Sequence, residues 1–516
     1  MLKIILCLAM LLMLAACGRN TGHDTPPVEI IYDPVTYEES NVDDVIPMEN
    51  GEDYETTLPD IPQHNEYIIT LEVDPETRTV QGISRISFTN RSGKPLETIV
   101  LRVFLNAFDP DVYPRPYTED VEWRMYRLGS DLGYLTVEYV FMNNEALEYN
   151  IEGTVLTLRL EEPIEPDATV LFSLQYSAHV PMLGHIMGGN DAGMWFGMFL
   201  PVLSVYGYDG WYKDAFYPIG HPFYLEAANY QVEITTPLRY NVVGTGHRSQ
   251  EVIYDTDIKI TRFTANMTRD FAFAVLSPYY NSASTITGSG VEINFYYQTE
   301  VVGERAEDIL EFARFNIEQF GHRVGVYPFG QINIVETDLL QDSIAFSQMV
   351  FADTRHLWRS DLSDLSYSLG SQWFASVVGI NPIAEPWLDI GLTRFVQASI
   401  VHYTPELLHE YMQQTRRDIA AHRGLLLTDG LWAYTQREYF IAAQGQRAML
   451  MLYQLQRRMG EDAFWSFINL YYQTFSFRVA TVEGFIYMAE EVYGHCLQEF
   501  FETWMTQDVI PILQLR

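Results

Sequence analysis

The sequence predicts an α+β protein in which an antiparallel β domain precedes a mostly helical domain. Two observations carry that expectation. Between residues 62 and 285, apolar and polar residues alternate in short runs broken by turn signals. From about residue 300 onward, apolar residues recur at helical spacing instead. The bulk numbers agree. A chain of 516 residues can bury more than one sizeable core, and 47% hydrophobic against 19% charged residues describes a globular protein. Aromatics reach 14%, with 34 Tyr, which favours half-buried sheet surfaces.

The strands come first. Tyr67 to Val73 and Gly82 to Phe88 alternate cleanly, and Ile99 to Leu105 is a third run. Val232 to Thr236 and Phe271 to Val275 follow. Asp74-Pro75-Glu76, Asn90-Arg91-Ser92-Gly93 and Thr236-Pro237 supply the turns between them.

The helices follow. Glu304 to Phe320 puts Ile309, Phe312, Ala313 and Ile317 on one stripe, with Gly321 as its expected stop. Leu362, Leu365, Leu369 and Trp373 form a second stripe. Gln446–Arg458, Asp462–Phe475 and Val482–Val492 read as further helices.

The N-terminus reads as an export signal. Lys3 is followed by eleven apolar residues, Ile4 to Leu14, too few to cross a bilayer. Leu14-Ala15-Ala16-Cys17 then looks like a bacterial lipobox, which makes Cys17 the expected lipidated residue, anchored by two acyl chains. Residues 18–61 are acidic, rich in Pro, Asn and Thr, and are expected to form a disordered tether. The domains expected are therefore 1–17 signal, 18–61 tether, 62–285 β domain and 286–516 helical domain. The protein is expected at the cell envelope, outside the cytoplasm, attached to the membrane through that lipid.

Charge narrows the partners. A net charge of −36 argues against nucleic acid, since phosphate binding needs a surplus of Lys and Arg on some face. Of the three cysteines, Cys7 leaves with the signal and Cys17 is lipidated, so only Cys496 remains and no internal disulfide can form. Cys496 is expected to be a packed thiol.

Ser366-Tyr367-Ser368-Leu369-Gly370-Ser371-Gln372-Trp373-Phe374 lies on the second helical stripe, and Trp387-Leu388-Asp389-Ile390-Gly391-Leu392 follows. These residues resemble two motifs of the aminopeptidase N-type zinc metallopeptidases, a gluzincin family. There a helix carries H-E-x-x-H-Q-W-F, and a Glu follows within W-L-N-E-G. Gln372-Trp373-Phe374 matches the end of the first motif, and Trp387-Leu388 with Gly391 matches the second. Eighteen residues separate positions 371 and 390, which is the family's interval. Tyr327-Pro328-Phe329 and Met349-Val350-Phe351 before these motifs, and Gly445 and Ala480 to Phe485 after them, are similar to further landmarks of the family. In the β domain, Pro201-Val202-Leu203 and Asp209-Gly210-Trp211 are local matches. The resemblance spans roughly residues 62–510. It implies a β domain followed by a thermolysin-like domain.

The resemblance also implies a zinc site whose residues are missing. The family's two His, at i and i+4, share one helix face and one zinc, a Glu completes the set, and the internal Glu activates water. Here the His positions hold Tyr367 and Ser371, the third-ligand position holds Ile390, and the general-base position holds Ser368. The glutamate that would grip a substrate amine aligns with Ala345, and the oxyanion-stabilising tyrosine aligns with Ala442. Phenol and hydroxyl are poor zinc ligands and an alkyl group is none. No metal or other cofactor is therefore expected, and no catalytic residues.

Other chemistry has little support. His409-Glu410 opens like the zinc motif, but position 413 is Gln. Asp353 and His356 sit at helical spacing with no evident third ligand. Ser368 and Ser371 lack a nucleophile-elbow sequence. Trp373, Phe374 and Trp387 read as core rather than as a ligand pocket. The aromatic stretch from Trp195 to Tyr224 reads either as an interaction surface or as a loop packed over the cleft. The function expected is a lipid-anchored pseudopeptidase that binds peptide-like ligands or envelope proteins without hydrolysis. An active zinc aminopeptidase with non-standard ligands is the alternative.

Overall fold

The structure, a computed structural model, describes residues 64–109, 131–254, 256–339, 342–359, 361–420, 422, 424, 426–507 and 510–511. The expected signal, Cys17 and the whole of the tether lie outside the described residues. No described helix is long and apolar enough to cross a membrane.

The strand Asn65–Asp74 alternates buried and exposed residues along its length, with Tyr67, Ile69, Leu71 and Val73 turned inward. Asp74 ends it, its Oδ1 accepting the Glu76 N–H at 2.9 Å to close the turn. Thr79–Thr89 pairs antiparallel on one side. Ala228–Pro237 pairs parallel on the other, with Tyr67 opposite Tyr230 and the two rings stacked at 4.7 Å. These three belong to an eight-stranded sheet that runs in space from His247–Ile253 at one edge to Glu145–Ala146 at the other. Two four-stranded sheets, containing Leu96–Arg102 and Phe273–Leu276, share one core with it.

One expected strand is too long. Ile99 to Leu105 leaves the sheet after Arg102, and Phe104–Phe108 forms a tight helical turn, every residue of it buried. A run that is apolar except for Arg102 carries no period to mark the change. Asn106 fixes the turn by accepting the Leu135 N–H at 2.8 Å.

The second half opens with a five-stranded sheet ordered Asn281–Ile286, Glu292–Tyr297, Gln331–Thr337, Met349–Asp353, Ile344–Phe346. The middle three strands are parallel, and Ile344–Phe346 is an antiparallel edge strand. Helices then dominate: α1 (Ala306–Arg323), α2 (Thr354–Trp358), α3 (Ser363–Ser371), α4 (Trp387–Val401), α5 (Pro405–Ile419), α6 (Ala448–Met459), α7 (Glu461–Phe475), α8 (Val482–Tyr493) and α9 (Gln498–Thr506). The fold is thus an antiparallel-rich β region followed by a helical one.

Two expectations are corrected. Gly321 does not stop α1, which runs on to Arg323. A glycine inside a helix costs only about 1 kcal/mol against alanine. The chain turns away instead at Gly325, whose φ of 149° few other residues adopt. Cys496 is exposed rather than packed. Gly494, left-handed at φ 72°, ends α8 before it, so Cys496 falls in the connection to α9 and Leu497 takes the buried place.

The two halves are fastened by a buried arginine. Arg269, just past the strand Ile258–Thr268, donates to the carbonyls of Leu225 at 2.9 Å, Ser376 at 3.3 Å, Val377 at 3.1 Å and Arg478 at 3.2 Å. Burial lowers its pKa to about 10, against the opposing pull of Asp270 and Glu226. Gly379 leaves room for the guanidinium, since a Cβ there would sit 2.2 Å from Nη1.

Candidate functional site

The segment with the two motif halves begins on α3. Its apolar stripe, Leu362, Leu365 and Leu369, is buried, which fixes the face that Tyr367 and Ser371 share. After Ser371 the helix widens into an i→i+5 turn, Gln372–Val377. Trp373 and Phe374 are both 0% exposed and belong to the helical core, and the Trp373 indole donates to the Gly325 carbonyl at 2.7 Å. Trp387 is buried in the same core. Gln372 is a joint. Its Oε1 accepts from the Gln348 N–H at 2.9 Å and the Tyr327 hydroxyl at 3.1 Å, and its Nε2 donates to the Phe346 carbonyl at 2.9 Å. That clamps the edge strand carrying Ala345 to the end of α3.

Two of the three residues at the family's ligand positions, Tyr367 and Ile390, come together. Ile390 on α4 forms a small apolar cluster with Ile383, Leu431 and Phe440, and Tyr367 packs against it. Tyr217 and Ile219, from the aromatic stretch of the β domain, close over the same cluster. This part of the stretch is therefore a loop packed over the site, while Tyr208 at its hairpin tip is 93% exposed. Ala442 is buried in the wide turn Ile441–Arg447 that precedes α6. Gly445 lies in that same turn, ahead of the helix expected to begin at Gln446.

The hydroxyls face backbone. Ser371 Oγ donates to the Tyr367 carbonyl at 3.1 Å, and Ser368 Oγ to the Ser343 carbonyl at 3.4 Å. Neither serine hydrogen-bonds a histidine among the described residues. Burial raises the Tyr367 phenol well above its ordinary range, and the Asp389 carboxylate adds to that. Arg394 and the Ser371 hydroxyl pull the other way.

Two residues of the site carry no motif. Arg394 lies one turn beyond Ile390 on α4, with its guanidinium carbon 5.0 Å from the centroid of the Tyr367 ring. Its Nε is buried with no hydrogen-bond partner, and no described carboxylate lies in ion-pair contact with it. A buried donor left unmade costs about 1–3 kcal/mol. His221 hydrogen-bonds the backbone of Ala345, leaving a buried, unpartnered Nε2. Burial lowers its pKa to about 4, so the ring is neutral at pH 7. A lone Arg or His in a sequence gives no signal of this kind, because the placement depends on contacts between distant segments.

Asp389, next to Ile390, is buried and accepts a hydrogen bond from the Thr393 hydroxyl at 3.3 Å. Burial raises its pKa to about 7, with Thr393 and Arg394 opposing. Glu385, before α4, also rises to about 7, through burial and the nearby charge of Glu483.

The other candidate ligands are distributed differently from expectation. Asp353 caps α2 through the Arg355 N–H at 2.9 Å and pairs with the Arg355 side chain. His356 faces Asp342 and Asp364 instead, and one ligand-capable atom from each of these three lies within 4.8 Å of the others. Arg437 already engages the Asp342 carboxylate. His409 is occupied on both nitrogens, by the Tyr453 hydroxyl at 2.9 Å and by Gln413 at 3.3 Å.

No family model matches this sequence, and no curated protein is detectably similar to it. Solved structures are similar to it in fold. An M1 zinc metallopeptidase variant from Deinococcus radiodurans with a bound Tyr-Ser-Ala substrate superposes with a TM-score of 0.66 at 16% identity, over 87% of this chain and 96% of that one. A two-domain M1 zinc metallopeptidase variant bound to L-arginine gives 0.66 at 16% identity, over 87% and 95%. The M1 zinc metallopeptidase from Deinococcus radiodurans gives 0.65 at 16% identity, over 87% and 95%. This chain therefore has the fold of the M1 metallopeptidases.

The zinc that this fold family implies can be tested against the donors present. Tyr367 offers a phenol whose proton burial holds more tightly, Ser371 a hydroxyl committed to backbone, and Ile390 an alkyl group packed among other alkyl and aromatic groups. These residues do not fit a zinc ion.

Proposed function

We propose that this chain uses the M1 fold to hold peptide-like or protein ligands without hydrolysing them, while anchored to a membrane outside the cytoplasm. One observation carries the non-hydrolytic part. Tyr367 and Ile390 pack together in an apolar cluster at the positions where the fold's relatives would set zinc ligands. Water activation needs a charged, desolvated metal with an open position, and this cluster offers no donors to hold one. The neighbouring structures with bound Tyr-Ser-Ala and L-arginine support a peptide-like ligand. The anchor rests on the Leu14 to Cys17 sequence.

The test has two arms. Purified chain incubated with aminoacyl anilides, with and without zinc, is expected to release no product above buffer; zinc-dependent, chelator-sensitive release overturns the reading. Cys17→Ala is expected to move the protein from the membrane fraction to the soluble exported fraction; unchanged membrane attachment removes the lipid anchor.

A second reading has one observation behind it. Asp342, His356 and Asp364 form a group able to hold a cation, and Asp364 lies one helical turn before Ser368. An active zinc aminopeptidase with non-standard ligands would draw on this group. Arg437 already supplies positive charge to Asp342, which opposes a second cation there. Zinc-dependent hydrolysis lost in His356→Ala would favour this reading.

A further inference from the structure

The geometry points to Arg394 as an anion-recognition residue: the site binds a carboxylate through a guanidinium in the region where the fold's relatives would hold a metal cation. This deepens the reading of the chain as a non-hydrolytic binder and rests on it.

Three features of the site lead there. Arg394 is one turn from Ile390 on the same face of α4, so its side chain enters the same region as the third-ligand position. Tyr367 covers the flat face of the guanidinium at 5.0 Å. A stacked guanidinium keeps its N–H donors at its edge, and those donors suit the two oxygens of a carboxylate. Finally, those donors are not used internally. Nε is buried without a partner, and no described carboxylate pairs with the group. Asp389, which feels the Arg394 charge, hydrogen-bonds to Thr393 rather than to Arg394.

The wall opposite Arg394 leaves space for this orientation. Gly445 approaches closely enough that a Cβ there would stand 2.9 Å from Nε and 3.0 Å from Cδ. A side chain at 445 would push the guanidinium off the Tyr367 ring. Lysine could carry the charge at 394 but not the planar fork or the stack.

The experiment is isothermal titration of the full chain in detergent with N-acetyl-Ala-Ala and with its C-terminal amide. The free acid is expected to bind at least about tenfold tighter than the amide, in keeping with a charge-assisted bidentate contact. Arg394→Gln is expected to bring the two within about twofold, and Arg394→Lys to fall between. Equal binding of acid and amide by the unaltered chain, or a preference that survives Arg394→Gln, overturns the inference and leaves the ligand-binding reading intact. Binding of neither peptide defeats the peptide-binding reading. The anion inference is then read by thermal melting with inorganic phosphate. A rise in Tm confined to the unaltered chain upholds it, and the same response in Arg394→Gln overturns it. Should Arg394→Gln fail to fold, Gly445→Ala keeps the charge and displaces the group; an undiminished preference for the acid in that variant also counts against the inference.

Discussion

Arg394 stacks on Tyr367, joining α4 to α3 across the centre of the helical half at 5.0 Å from ring centroid to guanidinium carbon. The contact joins a cation to an aromatic face in a partly desolvated place, where such pairs are worth about 0.5–2 kcal/mol. A double-mutant cycle with Tyr367→Leu and Arg394→Met should return a coupling in that range by urea denaturation. Tyr367→Phe, which keeps the ring, should stay within about 0.5 kcal/mol of the unaltered chain. A coupling of zero would remove this contact from the account of the site.

Metal content gives the most direct check on the donor set. Purified chain is expected to carry less than about one-tenth of an equivalent of zinc, and chelator should leave its melting temperature unchanged, because a bound structural metal would contribute folding free energy. If stoichiometric zinc appears, His356→Ala and Asp364→Asn locate it. Loss of metal in those variants assigns it to the group around His356, and retention assigns it elsewhere.

Ile390 predicts a stability effect of definite sign. Ile390→Glu places a carboxyl in the cluster of Ile383, Leu431 and Phe440 with no partner set for it, and should destabilise the fold by about 2–4 kcal/mol. Adding Tyr367→His and Ser371→His gives that carboxyl two imidazole neighbours. Zinc should then raise the melting temperature of the triple variant and leave the single variant unmoved. A triple variant indifferent to zinc would mean that these three positions do not converge on one point.

Asp389 predicts a pH dependence. Its folded pKa is raised, to about 7 from 3.8, so the folded state binds more protons than the unfolded state between those values. The sign follows: its contribution makes the fold less stable as pH rises from about 4 to about 7, and is flat beyond. Three units correspond to about 4 kcal/mol as an order of magnitude. Asp389→Asn should therefore match the unaltered chain near pH 4 and gain on it progressively up to pH 8, by denaturation at each pH. Glu385 and Asp270 titrate in a similar window, so the difference between the two chains is the quantity to compare. Parallel stability curves would show that burial does not hold Asp389 protonated.

The sequence made the joints of the fold visible. Gln372, Trp373, Trp387 and Gly391, the residues that carry the motif resemblance, each have a packing duty independent of metal. Gln372 holds the edge strand to α3, and Gly391 lets α4 approach α6, since a Cβ there would sit 2.4 Å from Ala448 Cβ. Alternation and helical stripes exposed most elements for the same reason: burial repeats with the period of the backbone. Arg394, His221 and Arg269 were not legible. Each acts through residues remote in the chain, and their neighbours in sequence follow no pattern that marks them. The end of α1 is not marked in the sequence, because Gly321 is only a weak breaker, whereas the turn comes at Gly325, where φ is 149° and a Cβ would sit 2.6 Å from the Tyr472 ring. The grouping of Asp342, His356 and Asp364 carries no sequence signal, because spacing pairs His356 with Asp353, and Asp353 is consumed by capping.

The Arg269 fastening has a consequence for traffic through the site. Three carbonyls of the helical half, Ser376, Val377 and Arg478, converge on a guanidinium carried by the β half, and swinging the halves apart would break all three bonds. Hinge opening of the whole molecule is thereby disfavoured. Under the binding role proposed above, a guest would enter and leave by local breathing of side chains and of the segment bearing Tyr217 and Ile219, so residence times should answer to changes there rather than to changes at the domain seam.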